Sequence, residues 1–200
     1  MDTKALREDL RDPRRAHAAR GVEGYAIPAV LLHWAMAPLI LVGIFLGLYM
    51  VRLGFSPAKL FLYSIHKWIG VTIFVLGATR LAWRVTHAAP VQIASMPGWQ
   101  RRAAGVLHGV LYLLMLAVPL VGWLYSSASG VPTVFLGIPA FQLPDAIGRD
   151  AALAPQLKAL HQALGYFFAS LVVLHIAAAA KHHFVNKDGV LRRMWIARID

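Results

Sequence analysis

The sequence predicts an all-α membrane protein, four transmembrane helices in an up-down-up-down bundle. Three observations lead there. Four stretches reach about the ~20 mostly apolar residues that a bilayer-spanning helix needs. Apolar residues make up 58% of the 200-residue chain and charged residues 14%, where soluble domains carry about 25% charge. The Lys and Arg residues also fall mainly on one side of the four stretches. With no cysteine, the chain cannot hold disulfides, Cys-ligated zinc, iron–sulfur clusters, a thiol nucleophile or a C-x-x-C-H attachment. A formal charge of +11 in so apolar a chain points to an anionic membrane surface and not to nucleic acid.

Residues 1–24 read as a polar cytoplasmic arm, because a cleavable signal would place its apolar run nearer Met1. The first helix covers about 27–51 and is apolar apart from His33 and Trp34; its Gly43-x-x-x-Gly47 permits close packing against a neighbour. Gly54-Phe55-Ser56-Pro57 breaks the chain before a second helix at about 65–83. Pro90 to Trp99 separates it from a third at about 106–125. The long Gly- and Pro-rich connection from Gly130 to Pro155 leads to a fourth at about 160–180. The bundle domain thus spans 25–194 and leaves a short tail, 195–200. Trp34, Trp68, Trp83 and Trp123 lie near helix ends, as an interfacial belt requires. With both termini inside, fifteen of the 20 Lys and Arg residues are cytoplasmic, and Arg52, Lys59, Lys67, Arg149 and Lys158 are outside. The positive-inside rule favours that orientation.

Ionisable residues within membrane helices are costly and need a reason. His161 and His175 are fourteen residues apart on the fourth helix, so they share a face at a separation of ~21 Å along the axis. Each needs a partner at its own depth. The first helix starts inside, which places His33 beside His175; the second starts outside, which places His66 beside His161. Two bis-histidine sites stacked across a bundle are what two b-type haems require, one imidazole on each side of each iron. Zinc favours tetrahedral closure by three or more protein ligands, and no carboxylate accompanies these histidines in the helices. Four residues beyond each histidine stands a small one (Ala37, Gly70, Gly165, Ala179), which leaves room for a flat macrocycle on the same helix face. His108 has bulky Tyr112 at that place and is not expected to be a ligand. Arg80 lies fourteen residues after His66, on the same face at inner depth, suited to pairing with a haem propionate. His182, His183 and Lys187, at the cytoplasmic end of the fourth helix, suit the polar edge of a quinone pocket.

The segments LLHWAMAPLI, SIHKWIG, LHGVLYLLMLAVPLVGW and LHQALGYFFASLVVLHIAAAAKHHFVNKDGVLRRM together resemble the prokaryotic cytochrome b561 family. The resemblance covers Tyr25 to Met194 and is most specific in H-x13-H followed by K-H-H-F. It implies a four-helix dihaem cytochrome of the bacterial inner membrane, with two haem b groups held by His33, His66, His161 and His175. It also implies electron exchange with ubiquinone, and for one kind of member the oxidation of superoxide from the periplasmic side. On that reading Lys67, Arg52, Lys59 and Lys158 would steer an anion to the outer haem. Wider relatives are cytochrome b subunits that conduct electrons for a partner hydrogenase or dehydrogenase, and outer cations suit docking of such a partner or of a periplasmic redox protein equally well. A haem-shuttling role fits less well, because bis-histidine ligation leaves no open position on the iron.

Overall fold

The computed structural model describes residues 24–87, 90, 96–134 and 141–195. The expected arm and tail, and His17 with them, fall outside these apart from Gly24 and Trp195. Four long helices follow one another: α1 (Ile27–Met50), α2 (Pro57–Thr86), α3 (Gly98–Ala128) and α4 (Leu153–Lys181). A two-stranded antiparallel hairpin, β1 (Thr133–Val134) and β2 (Gln142–Leu143), stands between α3 and α4. All four helices are long and apolar enough to cross a membrane.

Three of the four extend beyond the apolar stretch that marks them in the sequence. Ser56 caps α2, its hydroxyl accepting the Lys59 N–H at 3.3 Å, and Pro57 occupies the first turn, where its missing N–H costs nothing. The helix therefore starts at Pro57 and not near 65, carrying Lys59, Tyr63 and Ser64 out of the apolar zone. α3 gains polar turns through Gln100, Arg101 and Arg102. Asp150 Oδ1 accepts the N–H groups of Ala152 and Leu153 at 2.9 and 3.0 Å, so α4 starts at Leu153. Past Lys181, α4 widens into a π-helical turn, His182–Asn186, ended by Lys187 at φ 53°, and a short 3-10 turn follows at Leu191–Met194.

Close backbone approach runs from α1 to α2, α2 to α3 and α3 to α4; among the described residues α4 makes no comparable approach to α1 or α2. Gly43 and Gly47 allow the first of these. A Cβ on Gly43 would stand 3.2 Å from Ile69, and one on Gly47 3.3 Å from the His66 ring. Midway along the bundle Met36, Ile73, Leu114, Met115 and Phe168 form the buried core, one or two residues from each helix. Leu113 and Val173, in the middle of α3 and α4, are 65% and 67% exposed. Branched apolar side chains this open at mid-helix belong against hydrocarbon, so the bundle is a multi-pass membrane protein whose outer surface is solvated by lipid.

The two ends of the bundle are built differently. At the hairpin end, the α3–α4 connection folds over the helices and is stitched to them. Lys67 donates to the Val131 and Pro132 carbonyls at 3.1 and 3.2 Å. Trp68 Nε1 and Ser64 both donate to Val134 O, and Trp123 Nε1 donates to Pro144 O. Ser126 bridges Val131 O and Thr133 in a buried hydroxyl cluster. At the termini end, the C-terminal segment turns back on α1: Tyr25 N–H meets Arg193 O, Trp34 Nε1 donates to Met194 O at 2.6 Å, and Trp34 packs edge-on against Trp195. Three of the four expected belt tryptophans thus spend their N–H groups on backbone carbonyls of the caps. The fourth, Trp83, stacks on His87 at 3.7 Å.

Candidate functional site

Helix direction places two histidine layers in the bundle, separated by the apolar core. At the termini end α1 presents His33 and α4 presents His175, with ring centres 6.3 Å apart and planes at 75°. At the hairpin end α2 presents His66 and α4 presents His161, 6.1 Å apart at 88°. Phe168, buried seven residues from each α4 histidine, fills the space between the layers. An edge-to-face ring contact alone tolerates a broad range of distances. An iron bonded to two imidazole nitrogens at ~2.0 Å, with ~1.1 Å from nitrogen to ring centre, sets the centres ~6.2 Å apart. Both cross-bundle pairs have that span. No hydrogen bond joins the two rings of either pair, and among the described residues no group of three or more His, Asp or Glu is arranged to hold a metal ion. That donor set suits a macrocycle-bound iron, which takes two protein ligands, and not a zinc ion, which takes three or four.

The surroundings fit the same group. The helix pairs that carry the histidines, α1 with α4 and α2 with α4, are among those without close backbone approach. His66 Nδ1 is buried and has no hydrogen-bond partner, and the Gly43 carbonyl stands near the ring without a bond of adequate geometry. His161 is oriented from α3: its Nδ1 meets Val118 O at 3.0 Å, which leaves Nε2 free. A ligating histidine typically donates its second N–H in this way. Gly122 lies flat against the same ring, and a Cβ there would be 2.9 Å from His161 Cε1. Of the small residues one turn beyond the histidines, Gly165 faces open space and Gly70 meets only Pro119 at 3.9 Å.

The termini-end layer holds more polar groups. Arg80 Nε donates to Tyr112 OH at 3.1 Å and Nη1 to Ala29 O at 3.3 Å, and Arg80 lies within electrostatic reach of His33, His108 and His175. His108 stands 5.3 Å from His175, nearer than His33. That gap is too short for an iron between the rings, so His33 and not His108 has the ligand's spacing. Sequence reasoning missed four contacts across the two layers: Tyr112 on Arg80 and His108 on His175 at this end, and Gly122 and Gly47 on the His161 and His66 rings at the other. The helical positions of Gly47 and Gly122 were the available signal for the last two.

The remaining expected site residues are placed as follows. Lys67 and Lys59 are engaged by backbone carbonyls, Lys59 by Leu53 O at 2.6 Å, whereas Arg52 and Lys158 are exposed. His182 pairs with Asp188 and contacts Asn186, and His183 and Lys187 are exposed. Beside them an open pocket of about 400 Å³ lies between Met96, Pro97 and Gln100 at the start of α3 and Asn186 and Asp188 after α4.

The Asp188 carboxyl holds the C-terminal turn together. Burial pushes it up, but hydrogen bonds from His182, the Val190 N–H and Asn186 outweigh that, and it sits below its ordinary value. A lowered folded value means that its contribution is present above the ordinary aspartate range and is lost as pH falls through the lower folded one. The returning segment is therefore expected to resist protease at neutral pH and to open only in strong acid, whereas Asp188→Asn opens it at pH 7. Limited proteolysis in detergent measures this, and equal resistance of the variant at pH 7 would refute it.

The sequence model of the prokaryotic cytochrome b561 family matches residues 24–196. Cytochrome b561 homolog 2 of Escherichia coli (strain K12) is 35% identical over 174 residues, covering 86% of this chain and 91% of the relative. The probable superoxide oxidase CybB of Yersinia pestis is 30% identical over 173 residues, 85% of this chain and 94% of its own. Cytochrome b562 of Cereibacter sphaeroides is 30% identical, with coverage of 86% and 94%. Length, helix count and near-complete coverage agree with the histidine layers: the chain belongs to the prokaryotic cytochrome b561 family, membrane b-type cytochromes that transfer electrons.

Proposed function

We propose that the chain holds two haem b groups, one on His33 and His175 and one on His66 and His161, and carries electrons across the bacterial inner membrane to ubiquinone. The observation that carries this reading is the pair of 6.3 and 6.1 Å ring spacings at opposite depths. The haems supply one-electron transfer along the bundle axis; the protein holds them, spaces them and excludes water. The termini end is cytoplasmic, supported by the fifteen Lys and Arg residues assigned to that side. Arg80, pinned by Tyr112 and Ala29 O, offers its remaining N–H donors to a propionate of the termini-end haem. Quinone binds at the same end, beside His182, His183 and Lys187, where the open pocket and the Asp188 carboxylate supply a route for protons.

The donor at the hairpin end is superoxide, a reading supported by the name of the Yersinia pestis relative. Each superoxide gives up one electron and leaves as dioxygen; two such electrons and two protons convert a quinone to a quinol. Arg52 and Lys158 remain to attract the anion, because Lys67 and Lys59 hold the loops. With two of the four expected steering lysines and arginines held by the loops, a conduit serving a partner dehydrogenase or hydrogenase is the second reading. Purified protein decides between them. Superoxide generated in solution should reduce the haems, seen as a rise of their α-band, and a short-chain ubiquinone should reoxidise them, with no second protein present. Reduction only by an added dehydrogenase would replace the first reading with the second.

A further inference from the structure

His108 is the helix-borne histidine that neither pair absorbs. It stands on α3 at membrane depth, its ring beside His175 and within electrostatic reach of Arg80 and Arg84, and it makes no hydrogen bond among the described residues. A polar ring at membrane depth without a hydrogen-bond partner is costly. Its near neighbour is His175, at 5.3 Å between centres and 71° between planes. Two imidazoles joined by one N–H···N hydrogen bond of about 2.9–3.0 Å, each adding ~1.1 Å from nitrogen to ring centre, have centres ~5.2 Å apart. The two neighbours of His175 thus stand at two chemically distinct spacings: His33 at the span of an intervening iron, His108 at the span of a direct hydrogen bond.

The hairpin-end layer shows what is missing from this one. There α3 orients the α4 histidine through Val118 O, 3.0 Å from His161 Nδ1. His175 has no such backbone partner. We propose that His108 is the hydrogen-bond acceptor for the second ring N–H of His175, a positioning residue that aims the other nitrogen at the iron. The inference rests on the assignment of His175 as an axial ligand. It makes α3, which supplies no ligand, the helix that orients both ligands of α4, by a carbonyl at one depth and by a side chain at the other. Accepting that N–H makes the ligand more basic, which favours the oxidised iron; its loss raises the potential.

The test compares His108→Leu and His108→Gln in purified holoprotein, by haem stoichiometry, redox titration and the low-spin ferric resonances. The expected result is two haems in both variants. In the leucine variant one haem moves to higher potential with a shifted resonance, the other is unchanged, and glutamine, whose amide oxygen accepts, moves the value back toward wild type. His108→Phe keeps the ring volume without an acceptor and gives the same readout if leucine does not assemble. Unchanged potentials and resonances in the leucine or phenylalanine variant would overturn the proposal. So would loss of a haem, which would make His108 a ligand. Retention of both haems by His175→Ala would instead remove the ligand assignment on which the proposal stands.

Discussion

Replacing His175 with alanine is expected to leave one haem b per chain in place of two, as measured by pyridine haemochrome against protein. The 6.3 Å pair loses one of its two proposed protein donors, and His108, 5.3 Å from the removed ring, does not have the spacing to replace it. The hairpin-end pair should survive. It sits ~21 Å along α4, beyond the apolar layer of Met36, Ile73, Leu114, Met115 and Phe168, and depends on its own contacts to Val118, Gly122 and Gly47. His33→Ala should give the same single haem, and its residual spectrum should match that of His175→Ala, because the two residues serve one site. Residual spectra that differed would mean that the pairs are wired differently, and two haems in either variant would remove that residue from the ligand set. Electron transfer from one end of the bundle to the other should stop in both variants while the remaining haem still titrates.

This pairing was legible in the sequence because it follows from helix geometry alone. Fourteen residues is nearly a whole number of turns, and alternating helix direction fixes depth, so His33 with His175 and His66 with His161 required no knowledge of side-chain packing. Element ends were less legible. Ser56-Pro57 is a start signal that a search for apolar runs passes over, and Asp150 extends α4 in the same way. What α3 does was not legible at all. A helix that meets the His161 ring through a carbonyl at Val118 or an absent side chain at Gly122 leaves no spacing pattern, because those contacts depend on rotation and separation between helices. Cations were equally ambiguous: Lys67 reads the same at a helix end whether it faces solvent or, as here, the carbonyls of Val131 and Pro132.

Gly122→Ala provides the second large effect, and it isolates the α3 contact from the ligand itself. A Cβ at this position would stand 2.9 Å from His161 Cε1 and 3.1 Å from Nδ1, closer than carbon atoms pack. The obstructed group is a ring held at Nδ1 by Val118 O, not the free end of a flexible chain. Either the ring swings and gives up that 3.0 Å hydrogen bond, or α3 moves away from α4 along its closest approach. Overpacking of this kind costs about 1–3 kcal/mol, and here the strain falls on a proposed haem ligand. The expected result is loss or high-spin conversion of the hairpin-end haem, with the termini-end haem keeping its spectrum and potential. Gly165→Ala separates the two ways in which a glycine can matter. Among the described residues nothing lies within 4 Å of its Cβ position, so the fold should tolerate the methyl, and only a macrocycle seated on that face would feel it. Weakened haem retention in Gly165→Ala, with normal folding, would therefore place the ring plane against α4. Two unperturbed haems in Gly122→Ala would show that His161 is not held by α3 in the loaded protein, and the orienting role of that helix would fall at this depth.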